Sequence, residues 1–226
     1  MSNRWDNQKL GVLRTAQKML AAGLVTGTSG NVSVRLAPHD DGRELLAITP
    51  SGRQYDTMER DDILVVDFDV DAVEGDLTPS TETLLHVAIY RARPDVGAVI
   101  HTHAVYSSVA AVAGLDIPPI IDEAMVVLGG PIMVSEYAFP SSEDLADNVC
   151  IALGERQAAL IRNHGAVGVG RDAEEAFEVC ILAERVAQIF VLASALGKVN
   201  PLPDEIIEAE LAIYRMRKPD VTNRGE

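Results

Sequence analysis

The spacing of hydrophobic residues along this chain changes between two periods. Apolar residues recur every three or four positions within residues 5–22, and this spacing predicts a helix. From residue 31 the period becomes two, because Val32, Val34 and Leu36 alternate with polar side chains. The second pattern predicts a strand with one face buried.

The same two periods continue to the end of the chain. A strand predicted at residues 45–49 follows an acidic turn, so the first two strands are expected to form a hairpin. Other strands are predicted at residues 63–69, 98–103, near 132, 158–161 and 167–169, and other helices at residues 78–95, 105–113, 142–153, 173–196 and 204–217. This mixture predicts one layered α/β domain of α+β-like character over residues 1–226. Its core would span about 5–197, and a C-terminal helix about 203–217.

Composition limits the partners of the protein. Of 226 residues 47% are hydrophobic, enough for one large core, and the net charge of −15 comes without a run of Lys or Arg. We therefore expect no nucleic-acid partner, and no membrane partner because no apolar run is long enough to span a bilayer. The polar N-terminus does not resemble a signal peptide, and Cys150 and Cys180 predict no disulfide framework. A cytoplasmic location is expected, and an anionic substrate would need local backbone amides or a metal to hold it.

Three histidines are the first candidates for chemistry. His101 and His103 flank one threonine at the end of an apolar run, and residues two apart in a strand point to the same face. Two adjacent imidazoles fit best when they are neutral and share a cation or a hydrogen-bond network. His164 lies in a glycine-bearing turn between two short apolar segments. A hydrogen-bonded turn would explain His164 alone, but with the pair a metal site becomes the better interpretation.

A carboxylate completes the candidate ligand set. Glu82 is predicted in the first turn of a helix, where the helix dipole favours negative charge, so a structural role close to a capping box is the simpler interpretation of this residue alone. Three imidazoles and one carboxylate suit Zn²⁺ best, although another divalent metal would also fit. Because three histidines leave a displaceable fourth ligand, the set predicts a catalytic site. His86 is interpreted as a helix-packing or surface histidine.

Three pairs of small polar residues are predicted next to strand or helix ends. None of them matches a Walker loop or a dinucleotide-binding fingerprint, and each alone is explained equally well as a tight turn. Together they could surround a phosphate with amide and hydroxyl donors, without Arg or Lys. The pairs are Gly30 and Asn31, Ser51 and Gly52, and Ser80 and Thr81. They favour a phosphorylated small molecule as the substrate.

Five short motifs occur in a specific order along the chain. They are TSGNVSVR, ITPSG, PSTE, HTHA and RNHG. In this order they resemble the class II aldolase/adducin family, most closely its L-fuculose-1-phosphate aldolase branch, over nearly the whole chain. The resemblance implies a layered sandwich in which helices flank a largely antiparallel central sheet. It also implies a homotetramer with active sites at the subunit interfaces.

The resemblance further implies an activity and the residues that perform it. The reaction would be zinc-dependent retro-aldol cleavage of a ketose 1-phosphate to dihydroxyacetone phosphate and an aldehyde. The substrate would be L-fuculose 1-phosphate or a related 5-deoxy-pentulose 1-phosphate. Glu82 would ligate the resting metal and then act as the acid/base. The implied metal ligands are Glu82, His101, His103 and His164, and the implied phosphate and substrate contacts are Gly30, Asn31, Ser51, Gly52, Ser80 and Thr81.

The sequence departs from the family pattern at one place. A tyrosine that the family donates to a neighbouring site has no counterpart in IPPIIDEAMVVLGG, where Asp122 and Glu123 lie instead. Candidates for handling the proton of the C4 hydroxyl are therefore Glu123, Tyr137 and Tyr214.

Several other functions share the implied scaffold. In the pentulose-phosphate 4-epimerase branch, an aspartate occupies the position that resembles Glu82 of this chain. The glutamate found here therefore disfavours an epimerase. A sugar-acid phosphate decarboxylase and a methylthioribulose-phosphate dehydratase remain alternatives. A non-catalytic adducin-like interaction module is disfavoured because adducin heads lack the zinc histidines that are present here.

Overall fold

Eight strands form one sheet that is antiparallel except at one edge. The computed structural model describes residues 4–217, so the predicted domain limits at residues 1 and 226 lie outside the described part. In chain order the strands are β1 (Asn31–Leu36), β2 (Leu45–Ile48), β3 (Leu64–Asp67), β4 (Ala72–Glu74), β5 (Ala98–Thr102), β6 (Met133–Val134), β7 (Ala158–Ile161) and β8 (Gly165–Gly170). Their order across the sheet is β4-β3-β2-β1-β5-β8-β7-β6, and β6 pairs with β7 in parallel. The largely antiparallel sheet implied by the resemblance is confirmed.

Helices cover both faces of this sheet. Within residues 4–217 they are α1 (Asp6–Ala21), α2 (Thr83–Ala92), α3 (Val105–Ala113), α4 (Asp122–Leu128), α5 (Glu143–Leu153), α6 (Ala173–Ala195) and α7 (Asp204–Arg217). Apolar residues of α1, α3, α4 and α6 pack on one face, and those of α2 and α5 pack on the other. No helix in the described part is both long and apolar enough to cross a bilayer.

The central strands are buried on both faces. In β2, Leu45 and Ala47 join the cluster under α1, whereas Leu46 and Ile48 join the cluster under α2 and α5. A strand covered on both sides has no polar face, which explains its continuous apolar run. The odd-numbered residues of β1 and β5 face α2, and this orientation decides which side chains meet the site described below.

Three elements differ from the sequence prediction, and one of them is strand β4, which lies where no strand was predicted. The second helix begins at Thr83 rather than near residue 78, because Pro79 pairs with Pro50 and the Ser51 amide donates to the Thr78 carbonyl at 2.9 Å. These contacts hold residues 78–80 out of the helix. Helix α4 lies in a segment for which no element was predicted, because it is one short helix after two prolines and has too few apolar residues to establish a period.

Candidate metal centre

Four side chains proposed as ligands converge at one end of the sheet. His101 lies near the end of β5, His103 directly follows that strand, and His164 lies in the turn between β7 and β8. Glu82 lies immediately before α2. The candidate ligand atoms of these residues all lie within 4.8 Å of one another. The described chain therefore brings three imidazoles and one carboxylate into a single cluster.

Backbone contacts set the position of each imidazole. The amide of His103 donates to the carbonyl of Leu24 at 3.0 Å, which ties the end of β5 to the segment after α1. His164 follows Asn163, whose φ of +57° makes the sharp turn between β7 and β8. At Gly165 a Cβ atom would lie 2.1 Å from the carbonyl oxygen of Thr102, so only glycine permits this approach.

Hydrogen bonding determines which nitrogen of His101 faces the cluster. Its Nδ1 lies 2.9 Å from the carbonyl oxygen of Ala166. Because a carbonyl only accepts hydrogen bonds, Nδ1 carries a proton, and in the neutral ring Nε2 then presents its lone pair. That Nε2 lies 2.8 Å from Nε2 of His103 and 3.2 Å from Oε2 of Glu82. His101 therefore has the tautomer that a metal ligand requires.

Burial controls the charge of the other ligands. It lowers the pKa of His103 to about 4, helped by the neighbouring histidines. Burial also lowers the pKa of His164. For Glu82 burial acts to raise the pKa, but His101, His164 and a hydrogen bond from Asn31 lower it overall. Near neutral pH the cluster thus offers neutral imidazole nitrogens of His103 and His164 and an ionised carboxylate.

Two buried atoms in the cluster have no hydrogen-bond partner. They are Oε1 of Glu82 and Nδ1 of His164. A buried polar atom without a partner costs about 1–3 kcal/mol, so such atoms call for an explanation. Oε1 lies 3.6 Å from Nε2 of His164, too far for a hydrogen bond. An unpaired carboxylate oxygen facing imidazole nitrogens fits a site for a divalent metal.

Glu82 lies just before helix α2 rather than in its first turn. It is the N-cap residue of α2, with φ −101° and ψ 18°, and its side chain makes no capping hydrogen bond. The expectation that Glu82 lies in the first turn is corrected, and the capping-box interpretation of its carboxylate is wrong. Ser80 shapes the turn instead, because its Oγ accepts from the amide of Glu82 at 3.3 Å. The Glu82 carboxylate is thereby free to face the histidines.

A cavity of about 230 Å³ opens beside the cluster. All three pairs of small polar residues line it, and the described lining contains no Lys or Arg. Gly30 is required there, since its φ is +72° and a Cβ atom would lie 2.6 Å from the carbonyl oxygen of His101. Five further lining residues were not predicted from the sequence, and they are Thr28, Ser29, Pro50, Pro140 and Ser141.

The three candidates for the second acid/base lie away from this cavity within one chain. Tyr214, in α7, donates its hydroxyl hydrogen to the carbonyl of Glu155 at 2.7 Å and lines a different cavity. Tyr137 is 61% exposed. Glu123, in α4, lies 3.7 Å from the guanidinium of Arg185 on the surface. A role for any of them stays a prediction.

His86 was predicted to be either a helix-packing or a surface histidine, and the structure agrees with only one of these. It is fully buried, so the surface alternative is wrong and the packing alternative is correct. Both of its ring nitrogens have polar partners. The sequence analysis assigned it no function, although it follows Glu82 by one helical turn.

Comparison with known proteins agrees with this geometry. The profile of the family described as "Class II Aldolase and Adducin N-terminal domain" matches residues 11–191. A Bacillus thuringiensis protein named 5-deoxy-D-ribulose 1-phosphate aldolase is 30% identical over 198 residues, covering 87% of this chain and 90% of the relative. L-fuculose phosphate aldolase of Escherichia coli is 33% identical over 205 residues, covering 90% and 92%.

Relatives with another reaction also match. L-ribulose-5-phosphate 4-epimerase of Salmonella paratyphi C is 34% identical over 197 residues, covering 82% of this chain and 85% of the relative. Among solved structures, that of an L-fuculose 1-phosphate aldolase superimposes with a TM-score of 0.86 at 32% identity. It covers 95% of this chain and 98% of that one. The similarity therefore spans the whole described fold.

Proposed function

The chain belongs to the class II aldolase and adducin family, and on that premise we propose that it is a zinc-dependent aldolase acting on a ketose 1-phosphate. Retro-aldol cleavage would yield dihydroxyacetone phosphate and an aldehyde. The observation that carries the proposal is the cluster of three imidazoles and one carboxylate within 4.8 Å, beside a cavity lined by amides and hydroxyls.

The metal would be held by Glu82, His101, His103 and His164. This nitrogen-rich set favours Zn²⁺ among the common divalent ions. When bound, the cation supplies a Lewis acid that stabilises negative charge developing at the keto oxygen of the substrate. About one divalent ion per chain is expected in the purified protein.

The phosphate group would be bound without a cationic side chain. The net charge of −15 opposes an anionic ligand at long range, so short-range donors must hold it. The small polar residues of the loops at 51–52 and 80–81 line the cavity together with Gly30. The two loops are fixed to each other, because the amide of Ser80 donates to the carbonyl of Thr49 at 3.2 Å. This preformed cradle favours a phosphorylated substrate.

Glu82 is the proposed acid/base of the reaction. As the C3–C4 bond breaks, the C4 hydroxyl would give its proton to a second acid/base and the electron pair of the C3–C4 bond would remain on the dihydroxyacetone phosphate fragment. Glu82, once protonated, would then deliver a proton to C3. In the synthetic direction the same carboxylate would remove that proton. The burial of Glu82, only 7% exposed, keeps solvent away from this transfer.

The second acid/base is proposed to come from a neighbouring subunit. Tyr137 and Glu123 both lie on the surface, where they could reach another chain. Helix α3, which starts two residues after His103, exposes Val105, Val109 and Val112 along one side. Such an apolar stripe favours burial against another copy, in line with a homotetramer. Light scattering that gives a monomer at all concentrations would contradict this assembly.

The substrate is proposed to be L-fuculose 1-phosphate or a 5-deoxy-pentulose 1-phosphate, which are the substrate classes in the names of two relatives. A 4-epimerase is the second candidate, because a relative with that name is 34% identical. A cytoplasmic location stays a prediction.

One assay separates these candidates. Purified protein with saturating Zn²⁺ is incubated with a panel of ketose 1-phosphates and pentulose 5-phosphates, and dihydroxyacetone phosphate, free aldehyde and epimeric sugars are quantified. An aldolase releases dihydroxyacetone phosphate from a ketose 1-phosphate, and this release must stop when a chelator removes the metal. Accumulation of a 4-epimer without dihydroxyacetone phosphate would replace the aldolase proposal with the epimerase.

A further inference from the structure

Behind Glu82, buried polar side chains alternate between α2 and β1. Glu82, His86 and Tyr90 follow one another at intervals of four residues along the helix side, and Asn31 and Ser33 lie two apart on the strand. Four helical residues rise about 6 Å and two strand residues rise about 6.6–6.8 Å, so the two sets stay in step. All five residues are at most 7% exposed.

Consecutive members of this row are hydrogen-bonded. Asn31 Nδ2 donates to Glu82 Oε2 at 3.0 Å. His86 Nε2 lies 2.5 Å from Asn31 Oδ1. On the other side of the ring, His86 Nδ1 lies 2.6 Å from Ser33 Oγ. Ser33 Oγ lies 2.8 Å from the hydroxyl of Tyr90, which completes the row.

The ionised carboxylate determines where every hydrogen in this row lies. A carboxylate only accepts, so the Asn31 amide must turn its NH₂ group toward Glu82 and its oxygen toward His86. The Nε2 of His86 must then carry the proton, and its Nδ1 must accept from Ser33. Burial keeps the ring neutral by lowering its pKa to about 3. The row thus has one consistent direction, from Tyr90 to Glu82.

We propose that His86 is a positioning residue that orients the carboxylate of Glu82 through Asn31. The Nε2–H group of His86 holds the amide of Asn31, and this amide holds Oε2 of Glu82. The other oxygen, Oε1, lies 3.6 Å from Nε2 of His164 and has no protein donor. The catalytic meaning of this inference rests on the role proposed above for Glu82, whereas the orientation itself does not.

Two variants of nearly equal length separate positioning from packing. His86→Gln can place an N–H group near the position of Nε2, whereas His86→Met fills similar space without a donor. Removing a hydrogen-bond partner behind a metal ligand typically costs about 10–100-fold in metal affinity or activity. We expect His86→Met to weaken Co²⁺ affinity by about this factor and to lower kcat with little change in KM. His86→Gln should recover most of both losses.

A third measurement does not depend on the variants or on activity. In the metal-free native protein, the ¹⁵N chemical shifts of His86 should show a neutral ring protonated at Nε2. An Nδ1–H tautomer would overturn the inference, and so would equal Co²⁺ affinities for His86→Gln and His86→Met. If native protein lacks retro-aldol activity but shows the Nε2–H tautomer and the contrast in Co²⁺ affinity, the proposed function fails and the positioning role stands.

Discussion

At one end of strands β5 and β8 a buried polar group is fully hydrogen-bonded, whereas at the other end buried polar atoms lack partners. At the end near Val96 and Gly170, the guanidinium of Arg93 makes five hydrogen bonds, to Asp95, Gln157 and two backbone carbonyls. All five of its N–H donors are therefore satisfied. At the other end, Oε1 of Glu82 and Nδ1 of His164 lack any partner. One end is bonded within the protein, and the other leaves a carboxylate oxygen available to a ligand.

The volumes of the cavities at these two ends do not indicate which cavity is the candidate active site. The cavity beside Arg93 has a volume of about 780 Å³, whereas the one beside the histidines has about 230 Å³. The larger cavity has charges of both signs on its wall, and the guanidinium of Arg93 in that wall is already paired with Asp95. The smaller one combines unpaired ligand atoms with uncharged donors. Buried polar atoms without a hydrogen-bond partner, rather than cavity volume, mark the candidate active site.

The largest expected effect comes from changing the proton-transferring group alone. Glu82→Gln preserves size and position but removes the basic carboxylate. With Zn²⁺ saturating, turnover should fall about 10²- to 10⁴-fold, the usual contribution of a general acid/base. The three histidines should still bind the metal. Solvent deuterium exchange at C3 of dihydroxyacetone phosphate, measured without aldehyde, isolates this step.

Two outcomes of that experiment have different meanings. If added Zn²⁺ restores the activity of Glu82→Gln, the carboxylate only helps to hold the metal. If the variant carries full Zn²⁺ and exchanges at the native rate, another residue moves the proton. We expect full Zn²⁺ and lost exchange.

Local pattern was enough to predict which side chains come together but not their surroundings. His101 lies in strand β5 and His103 directly follows it, so a period of two predicted correctly that their side chains lie together. Asn31 and His86 come from elements whose pairing depends on the fold: the β1–β5 register sets Asn31 opposite His101. The spacing of Glu82, His86 and Tyr90 was visible in the sequence, but the strand facing it was not. Tertiary packing decides which strand faces these three residues. The pattern of one chain also contains no information about which residues a neighbouring subunit contributes.

Breaking the bonded end should lower stability and leave the chemistry intact. Arg93→Met removes five hydrogen bonds and leaves buried carbonyls unsatisfied, so the free energy of unfolding should fall by about 2–4 kcal/mol. Urea denaturation measures this loss. Arg171→Met, which removes an exposed pair with Glu175 at the same cavity, should cost less than about 1 kcal/mol. Below the unfolding transition, kcat per folded molecule should equal the native value in both variants. A large drop in the kcat of Arg93→Met would show that the two ends are coupled.

The buried histidine behind Glu82 should make stability depend on pH. The pKa of His86 is lowered by burial from 6.5 to about 3 in the folded protein. Below pH 6.5 the unfolded chain binds a proton that the folded chain does not, so the free energy of unfolding falls as pH falls toward about 3. This contribution approaches about 1.4 kcal/mol per pH unit and vanishes above the unfolded pKa.

His86→Gln provides the comparison for this slope. Urea unfolding of both proteins between about pH 7 and about pH 5 should give a shallower pH dependence for the variant, since it lacks the titrating ring. Other groups titrate in both proteins and cancel in the difference. Parallel curves would mean that the buried ring binds its proton as readily as the unfolded chain does.

The smallest effect tests whether the two ends act independently. The ring of Tyr214 packs so closely on Gly129 that a Cβ atom there would lie 2.3 Å from it, and burial raises the pKa of the Tyr214 hydroxyl to about 12. A hydroxyl held against Glu155 at the far cavity is poorly placed to serve the metal centre of its own chain. Tyr214→Phe should therefore cost about 0.5–1.5 kcal/mol of stability and leave kcat unchanged.

Tyr137→Phe, at an exposed position, is the matched control: stability should stay constant, and kcat should fall if this hydroxyl serves a neighbouring site. A loss of kcat in Tyr214→Phe at native stability would instead assign the second acid/base to α7 and join the two ends functionally.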